Sequence, residues 1–114
     1  MPRYMLLIKS GEYSSSPQLS PEESQRIVEK YIAFARKLRS ENRFLDGDEL
    51  MSNGRVMSAR GGKIVDGPFT ETKESIGGYF LISADSYDHA VAIARDCPVF
   101  ERGGVLEIRE IVEH

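Results

Sequence analysis

The sequence predicts a single α+β domain, and three observations lead to this fold class. Short apolar runs of strand length open the chain, follow residue 75 and close the chain. Two segments between these runs repeat their apolar residues at helical spacing. Short strand candidates separated by glycine fill the middle of the chain. This order of elements is the ferredoxin-like β-α-β-β-α-β plan with an extra hairpin, and the length of 114 residues suits one domain over residues 1–114.

The first strand candidate is the apolar run YMLLI at residues 4–8, and it precedes the clearest helix of the chain. Ser20 can cap this helix, Pro21 suits its first position because the missing N–H would be unpaired there, and Glu23 completes a capping box. An apolar stripe then predicts that the helix packs on a flat surface. The stripe consists of Ile27, Tyr31, Phe34, Ala35 and Leu38.

The middle of the chain carries three strand candidates, RFLDGDELM, RVMSAR and KIVDG. Gly61 and Gly62 separate the last two and predict a hairpin, because both turn residues must adopt φ values that side chains disfavour. A strongly apolar strand, IGGYFLISA, comes next. The closing VLEIREIV alternates as a mostly one-sided strand.

A second, shorter helix is predicted within DSYDHAVAIARDCP. Asp85 or Ser86 can cap it, and Pro98 ends it. Helical spacing gives it an inward face, which we expect to pack on the sheet. This face consists of Tyr87, Ala90, Val91, Ala94 and Cys97.

Two helices cover one face of a four-stranded antiparallel sheet, so the other face meets solvent, a ligand or a second subunit. The strand candidates YMLLI and GGYFLI carry apolar residues on both sides, which makes bare solvent the least favourable of the three. We therefore expect a homodimer whose sheets pack face to face and close a barrel-like core with clefts at its edges.

Composition excludes several classes of protein. The net charge of −3, with basic residues scattered among acids, gives no concentrated basic face for nucleic acid. No apolar run approaches the roughly 20 residues of a membrane-spanning helix, and the N-terminal run is shorter than the centre of a signal peptide. Cys97 has no second cysteine to pair with. We expect a cytoplasmic protein without membrane contact, nucleic-acid partner, metal or cofactor.

The segment VDGPFTETKESIGGYF at residues 65–80 is the least ordinary part of the chain. Asp66 and Gly67 favour a turn, in which the Asp66 carboxylate accepts hydrogen bonds from backbone N–H groups just beyond it. Pro68 fixes its own φ and biases Gly67 towards an extended conformation. Phe69 then has a defined direction and packs into the core or into a partner subunit. A rigid corner accounts for these residues without a substrate.

The TETKE that follows is harder to explain as a corner. In an extended conformation Glu71 and Lys73 share one face, whereas in a helical turn Glu71 neighbours Glu74. At a half-buried dimer cleft a carboxylate pair raises one pKa and supplies a general acid or base. Asp66, Glu71 and Glu74 are therefore the catalytic candidates, and Lys73 can hold an anionic substrate. The alternative is a solvated ion pair of little energetic worth.

Gly77 and Gly78 open the next strand, where glycines mark a bulge or the close approach of a backbone or ligand. Together with Phe69 and Lys73 they are the ligand-binding candidates. They form no phosphate-binding loop, since a strand and not a helix follows them.

Two further groups are weaker candidates. Asp46, Asp48 and Glu49 could bind a hard cation but lack the spacing of a calcium loop. His89 is interpreted as an ordinary surface histidine on the second helix.

Five stretches together resemble a known family: YMLLI, SPEE, DGPFTETKESIGGYFLI, ARDCP and GGVLEIREI. They are similar, in the same order, to the DGPF-type branch of the YCII-related proteins, often labelled the DGPFAETKE family. DGPFTETKE differs from that label only at Thr70. The resemblance implies the dimeric α+β barrel fold. Members of the wider group carry a His and Asp pair in the cleft between the sheets, and related barrels act as muconolactone isomerases or dehalogenases. The first helix here contains no histidine, which puts catalysis through that pair in doubt.

Two functions follow as hypotheses. In the first, a cytoplasmic homodimer binds a small anionic molecule in a cleft lined by DGPFTETKE, and acts as an acid/base enzyme if binding leads to turnover. In the second, the protein is a non-catalytic binding or regulatory partner. The resemblance implies association with an extracytoplasmic-function sigma factor, because many members of this branch are encoded near such factors.

Overall fold

The computed structural model describes residues 1–9, 20–51, 54–67 and 76–114. Within these ranges the chain forms the predicted strands, helices and hairpin in the predicted order. The elements are β1 (Arg3–Lys9), α1 (Pro21–Ser40), β2 (Phe44–Glu49), β3 (Val56–Arg60), β4 (Lys63–Gly67), β5 (Ile76–Ser83), α2 (Tyr87–Ala94), a 3-10 helix (Pro98–Arg102) and β6 (Val105–Glu110).

Four of the strands form an antiparallel sheet in the order β2-β5-β1-β6, and β3 and β4 pair separately as a two-stranded sheet. The first and last strands of the fold thus lie side by side, and β5 inserts between β1 and β2. This order confirms the predicted ferredoxin-like α+β fold with its extra hairpin.

The core lies between the two helices and one face of the four-stranded sheet. Side chains alternate along β1, so that Tyr4, Leu6 and Ile8 are buried while the residues between them are half-buried. Leu6 is paired with Phe80 on β5 and with Ile108 on β6, which places one apolar layer across three strands. The helices cover this layer.

Helix α1 begins as the sequence predicts. The Ser20 side chain accepts a hydrogen bond from the backbone N–H of Glu23 at 3.1 Å, and Pro21 occupies the first turn. Phe34 and Leu38 are buried, and the other members of the predicted stripe are half-buried. The ring of Phe34 meets that of Phe80 edge to face at 5.2 Å between centroids, which fixes the helix on β5.

Helix α2 is capped by Ser86, whose hydroxyl accepts from the backbone N–H of His89 at 3.1 Å. Ala90 and Ala94 are buried, as is Cys97 just beyond the helix, but Tyr87 is 47% exposed and Val91 37% exposed. The prediction of the inward face was wrong for these two larger residues. The two alanines contact the sheet and bring this short helix close to it, which leaves the bulkier side chains at the border of the contact.

Tyr87 nevertheless ties α2 to the sheet from that border. Its ring contacts the ring of Tyr4 edge to face at 4.9 Å, and its hydroxyl accepts a hydrogen bond from the backbone N–H of Glu110 at 2.8 Å. None of the helices in the described part of the chain has both the length and the apolar character needed to cross a membrane.

The hairpin of β3 and β4, residues 56–67, is called the arm below. Gly61 and Gly62 form its turn with φ values of 54° and 80°, as predicted from the glycine pair. From Val56 to Asp66 every residue is exposed. Because these residues are exposed and neither strand pairs with the four-stranded sheet, the arm projects from the body of the domain.

Candidate functional site

The structure describes three of the seven predicted site residues. Asp66 lies near the end of β4, and Gly77 and Gly78 lie at the start of β5. The other four fall outside the described residues, so the predictions made for them stay predictions. They are Phe69, Glu71, Lys73 and Glu74.

Asp66 forms an ion pair with Arg55 at the base of the arm. Asp66 is paired with Met57 across the hairpin, and Arg55 lies two positions before Met57, on the same side of the strand. Arg55 is 80% exposed and has several N–H donors, so the guanidinium can receive another anion as well as the carboxylate. The prediction of a turn at Asp66 and Gly67 was wrong, because both residues lie in β4 and pair with β3. The structure instead gives Asp66 a guanidinium partner that the sequence did not indicate.

Gly77 and Gly78 are held against β2. The backbone carbonyl of Gly77 accepts from the N–H of Leu50 at 2.9 Å. A Cβ atom on Gly78 would lie 3.1 Å from the carbonyl oxygen of Asp48, closer than ordinary contact. The predicted close approach at these glycines is thus made by a neighbouring backbone, and contact with a ligand stays a prediction.

The face of the sheet turned away from the helices is called the open face below. Strand pairing places Leu7 opposite Tyr79 on β5 and Glu107 on β6, and Met5 opposite Leu81 and Arg109. These rows alternate with the buried rows of the core. The open face consists of Met5, Leu7, Lys9, Asp46, Asp48, Tyr79, Leu81, Val105, Glu107 and Arg109. Its centre is apolar and half-buried, and its two sides carry charge.

On the β2 side of the open face, two carboxylates flank a tyrosine. The Tyr79 hydroxyl donates to Asp48 Oδ2 at 3.4 Å. Burial of the hydroxyl raises the pKa of Tyr79 above its ordinary value, and the nearby carboxylates of Asp46 and Asp48 raise it further. Asp46 also accepts from the backbone N–H of Gly47 at 2.8 Å. Within the described ranges, neither carboxylate has a cation as partner.

On the β6 side of the open face, one carboxylate lies between two cations. Lys9 Nζ is 2.8 Å from Glu107 Oε1, and an Arg109 N–H donates to Glu107 Oε2 at 3.2 Å. The hydrogen bond from Lys9, followed by that from Arg109, lowers the pKa of Glu107. The open face is therefore asymmetric, acidic along β2 and with an excess of positive charge along β1 and β6.

A shallow groove of about 190 Å³ lies on the opposite side of the molecule, between α1 and α2. Phe34, Leu38 and Ile93 form its apolar wall, and Lys37 and Asp96 pair at 2.7 Å beside it. It contains none of the predicted site residues. Among the described residues no group of three or more His, Cys, Asp or Glu side chains is arranged to hold a metal ion.

The sequence profile of the YCII-related domain matches residues 2–114. The chain belongs to the YCII-related domain family. The resemblance carried by DGPFTETKE and its flanking segments is thereby confirmed. The YCII-related chain is also similar to an uncharacterised protein of Rhizobium meliloti (strain 1021), with 32% identity over 97 residues, which is 82% of this chain and 77% of the relative.

Strand alternation could have located more of the charged residues on the open face of this YCII-related chain. It already placed Glu107 and Arg109 on one side of the last strand, but it could not bring Lys9 to them, because strand order is not visible in sequence. For the same reason Tyr79 was not connected with Asp46 and Asp48. The sequence did not indicate Arg55, because this residue precedes the arm and comes near Asp66 only through the register of the hairpin.

Proposed function

We propose that this YCII-related chain is a cytoplasmic homodimer that binds a small anionic molecule in a cleft between its subunits. The open faces of the two sheets pack together, and DGPFTETKE lines the cleft. The observation that carries the proposal is the apolar centre of the open face, formed by Met5, Leu7 and Leu81. An antiparallel sheet commonly exposes one face, but that face is then mostly polar. An apolar centre with charged borders is typical of a protein interface.

The anionic ligand is inferred from charge at the base of the arm. Arg55 is largely exposed and pairs with Asp66, the first residue of DGPFTETKE. Lys73 follows within the same segment and would add a second cation to the cleft. Two cations beside a carboxylate suit a ligand with a carboxylate or phosphate group, because guanidinium and ammonium groups both bind such anions.

If ligand binding leads to turnover, the proposed reaction is acid/base catalysis. Asp66, Glu71 and Glu74 are then the proton-transfer groups, and Phe69, Gly77 and Gly78 contact the ligand. No metal or redox cofactor enters this proposal.

Two measurements on the purified protein test the proposal. Light scattering after gel filtration gives the mass, which should be twice the chain mass of 12.8 kDa. Thermal unfolding with a panel of small carboxylates and phosphates then reports binding, because a ligand of the native state raises the melting temperature. Lys73→Gln should abolish the shift, whereas Arg26→Gln, an exposed cation on α1, should leave it unchanged. A monomer, or equal shifts in both variants, would contradict the proposal.

The arm favours a second candidate function, that of a non-catalytic regulatory partner. It projects from the domain with exposed apolar side chains, which suits contact with another protein. An extracytoplasmic-function sigma factor is the partner that the family resemblance suggests. Gel filtration of the chain with such a purified factor tests this function. Co-elution that survives Lys73→Gln would favour it over the small-molecule proposal, and separate elution would count against it.

A further inference from the structure

One side of the arm carries uncovered apolar residues next to its basic tip. Strand alternation places Val56 of β3 and Val65 of β4 on the same side as Arg60 and Lys63. Val56 is 50% exposed and Val65 42% exposed. A two-stranded hairpin is at best marginally stable in water without a surface to pack against. The arm therefore has the properties of an element that is completed by another surface.

The tip of the arm is basic. Arg60 and Lys63 lie directly opposite each other on either side of the glycine turn. Like charges in such a pair repel each other. In the part of the chain that the structure describes, neither has a carboxylate as partner. The tip thus carries two positive charges that the described part of its own protomer leaves unneutralised.

The open face carries the matching negative charges. Asp46 and Asp48 lie together beside Tyr79 and have no cationic partner among the described side chains. Glu107, the other carboxylate of that face, already lies between Lys9 and Arg109. A basic tip that meets this face is therefore attracted to its β2 side.

We propose that the arm of each protomer lies on the open face of a second copy of this chain, with Arg60 and Lys63 against the partner's Asp46 and the partner's Asp48. This inference rests on the homodimer of the proposed function and adds the contact that orients it. Two-fold symmetry makes the contact twice, so that the charges left unmatched in one protomer are matched in the pair. The side of the arm that carries Val56 and Val65 beside this basic tip then covers part of the open face around Met5 and Leu7.

A second copy fits the arm better than an unrelated protein, because both halves of the contact are present in this one sequence. The tip supplies two cations, and the open face supplies two carboxylates that face away from the helices. The contact also closes on itself, since each arm is used by the other protomer and no basic tip remains for a third copy.

Charge reversal on each half of the contact tests the proposal. One variant carries Arg60→Glu and Lys63→Glu, and the other carries Asp46→Lys and Asp48→Lys. In either homodimer like charges now meet, so we expect the dimer dissociation constant to rise about 100-fold or more in each. In a heterodimer of the two variants the altered arm meets the altered face of opposite charge, and the unaltered arm meets the unaltered face. The mixture should therefore form a heterodimer with a dissociation constant within about tenfold of the wild type.

A matched control and a milder variant keep the test independent of folding. Arg26→Glu with Arg36→Glu makes the same change in net charge on the exposed side of α1 and should leave the dissociation constant unchanged. Asp46→Asn with Asp48→Asn avoids new charge and should weaken the dimer by about tenfold. Circular dichroism of every variant confirms the fold, and sedimentation velocity measures the dissociation constant.

The outcomes separate this proposal from the one on which it rests. A wild-type protein that stays monomeric overturns both. A wild-type dimer that the arm variant leaves unchanged overturns the arm contact alone. If both variants dimerise weakly and their mixture forms no heterodimer, the tip meets a surface other than Asp46 and Asp48. This result also overturns the arm contact. Loss of sigma-factor binding with an unchanged dimer would assign the arm to a heterologous partner instead.

Discussion

Asp66 of β4 is ion-paired with Arg55 across the base of the exposed arm. This relationship changes the interpretation of the DGPF corner, because the first charged residue of the motif is fixed by the hairpin that precedes it. The motif therefore begins on the arm and continues towards β5.

The first prediction separates a structural from a functional role of this pair. Asp66→Asn removes the charge and keeps the size, and an exposed ion pair contributes only about 0–1 kcal/mol to folding. We expect urea unfolding of Asp66→Asn, Arg55→Gln and the double variant to differ from the wild type by no more than about 1 kcal/mol. Binding of the proposed anionic ligand should weaken in Arg55→Gln, because a cation is lost, and in Asp66→Asn, because the carboxylate no longer positions Arg55.

The double variant serves as the control for coupling. If the two residues interact only with each other, the unfolding free energy of the double variant equals that of either single variant, because the second substitution breaks no further contact. An unfolding free energy that falls by several kcal/mol in Asp66→Asn, with ligand binding intact, would show that this residue is a corner and not part of a site.

The second prediction concerns two glycines that allow β2 to approach β5. A Cβ on Gly47 would lie 2.8 Å from Cδ1 of Phe80 and 2.9 Å from the carbonyl oxygen of Tyr79. A Cβ on Gly78 would meet only a single carbonyl at 3.1 Å. Gly47→Ala should therefore destabilise the fold by about 1–3 kcal/mol, as overpacking does, and Gly78→Ala by less.

Urea unfolding of the two alanine variants measures this difference. Ser58→Ala, on an exposed strand of the arm, is the control for substitution to alanine and should leave stability within about 0.5 kcal/mol of the wild type. Equal stability of Gly47→Ala and the wild type would mean that Phe80 can move aside, and that the aromatic cluster around it is loosely packed.

The sequence predicted the elements of this fold well, because periodicity and caps are local signals. The helix from Pro21 was indicated by Ser20 and by an apolar stripe, and the arm by a glycine pair. The exposed state of Tyr87 and Val91 was missed, since spacing alone does not show that two alanines set the distance between α2 and the sheet. Local signals therefore located the elements better than the contacts between them.

The candidate site was less predictable than the fold for a physical reason. Its charges come together through strand pairing between distant segments, as for Lys9 with Glu107, and the pairing order depends on the whole sheet. The sequence favoured a turn at Asp66, whereas the register of the arm places this residue in β4 and brings Arg55 to it. The motif thus proposed a candidate site, but it did not indicate which neighbours define the charge around Asp66.

The third prediction is a pH dependence that arises from Glu107. Hydrogen bonds from Lys9 and Arg109 lower the pKa of this carboxyl in the folded state. The stabilisation is therefore fully present above the ordinary carboxyl pKa of about 4.3 and is lost as the pH falls through the lowered value. Glu107→Gln should lower the melting temperature at pH 7, and the difference from the wild type should shrink on acidification below about pH 4.

Thermal unfolding between neutral and acidic pH measures this dependence. Glu49 is an exposed residue of β2, and Glu49→Gln is the control. Its melting temperature should differ little from that of the wild type at every pH. A Glu107→Gln difference that stays constant down to acidic pH would show that the ion pair with Lys9 does not contribute to stability.

The fourth prediction contrasts two neighbouring leucines on opposite faces of β1. Leu6 is fully buried between the sheet and the helices, in the row of Phe80 and Ile108. Leu6→Ala should cost about 2–5 kcal/mol of unfolding free energy, because it removes core contacts and leaves a cavity. Leu7 lies on the open face and is half-buried in one protomer. Its substitution by Ala should therefore act mainly on the proposed dimer.

Urea unfolding at several protein concentrations distinguishes the two effects. Unfolding of a dimer depends on concentration, because association stabilises the native state by mass action. Leu6→Ala should shift the midpoint at every concentration and keep that dependence. Leu7→Ala should weaken the dependence and raise the dimer dissociation constant while the isolated protomer keeps its stability. A Leu7→Ala protein whose dissociation constant equals that of the wild type would place the subunit contact on a surface other than the open face.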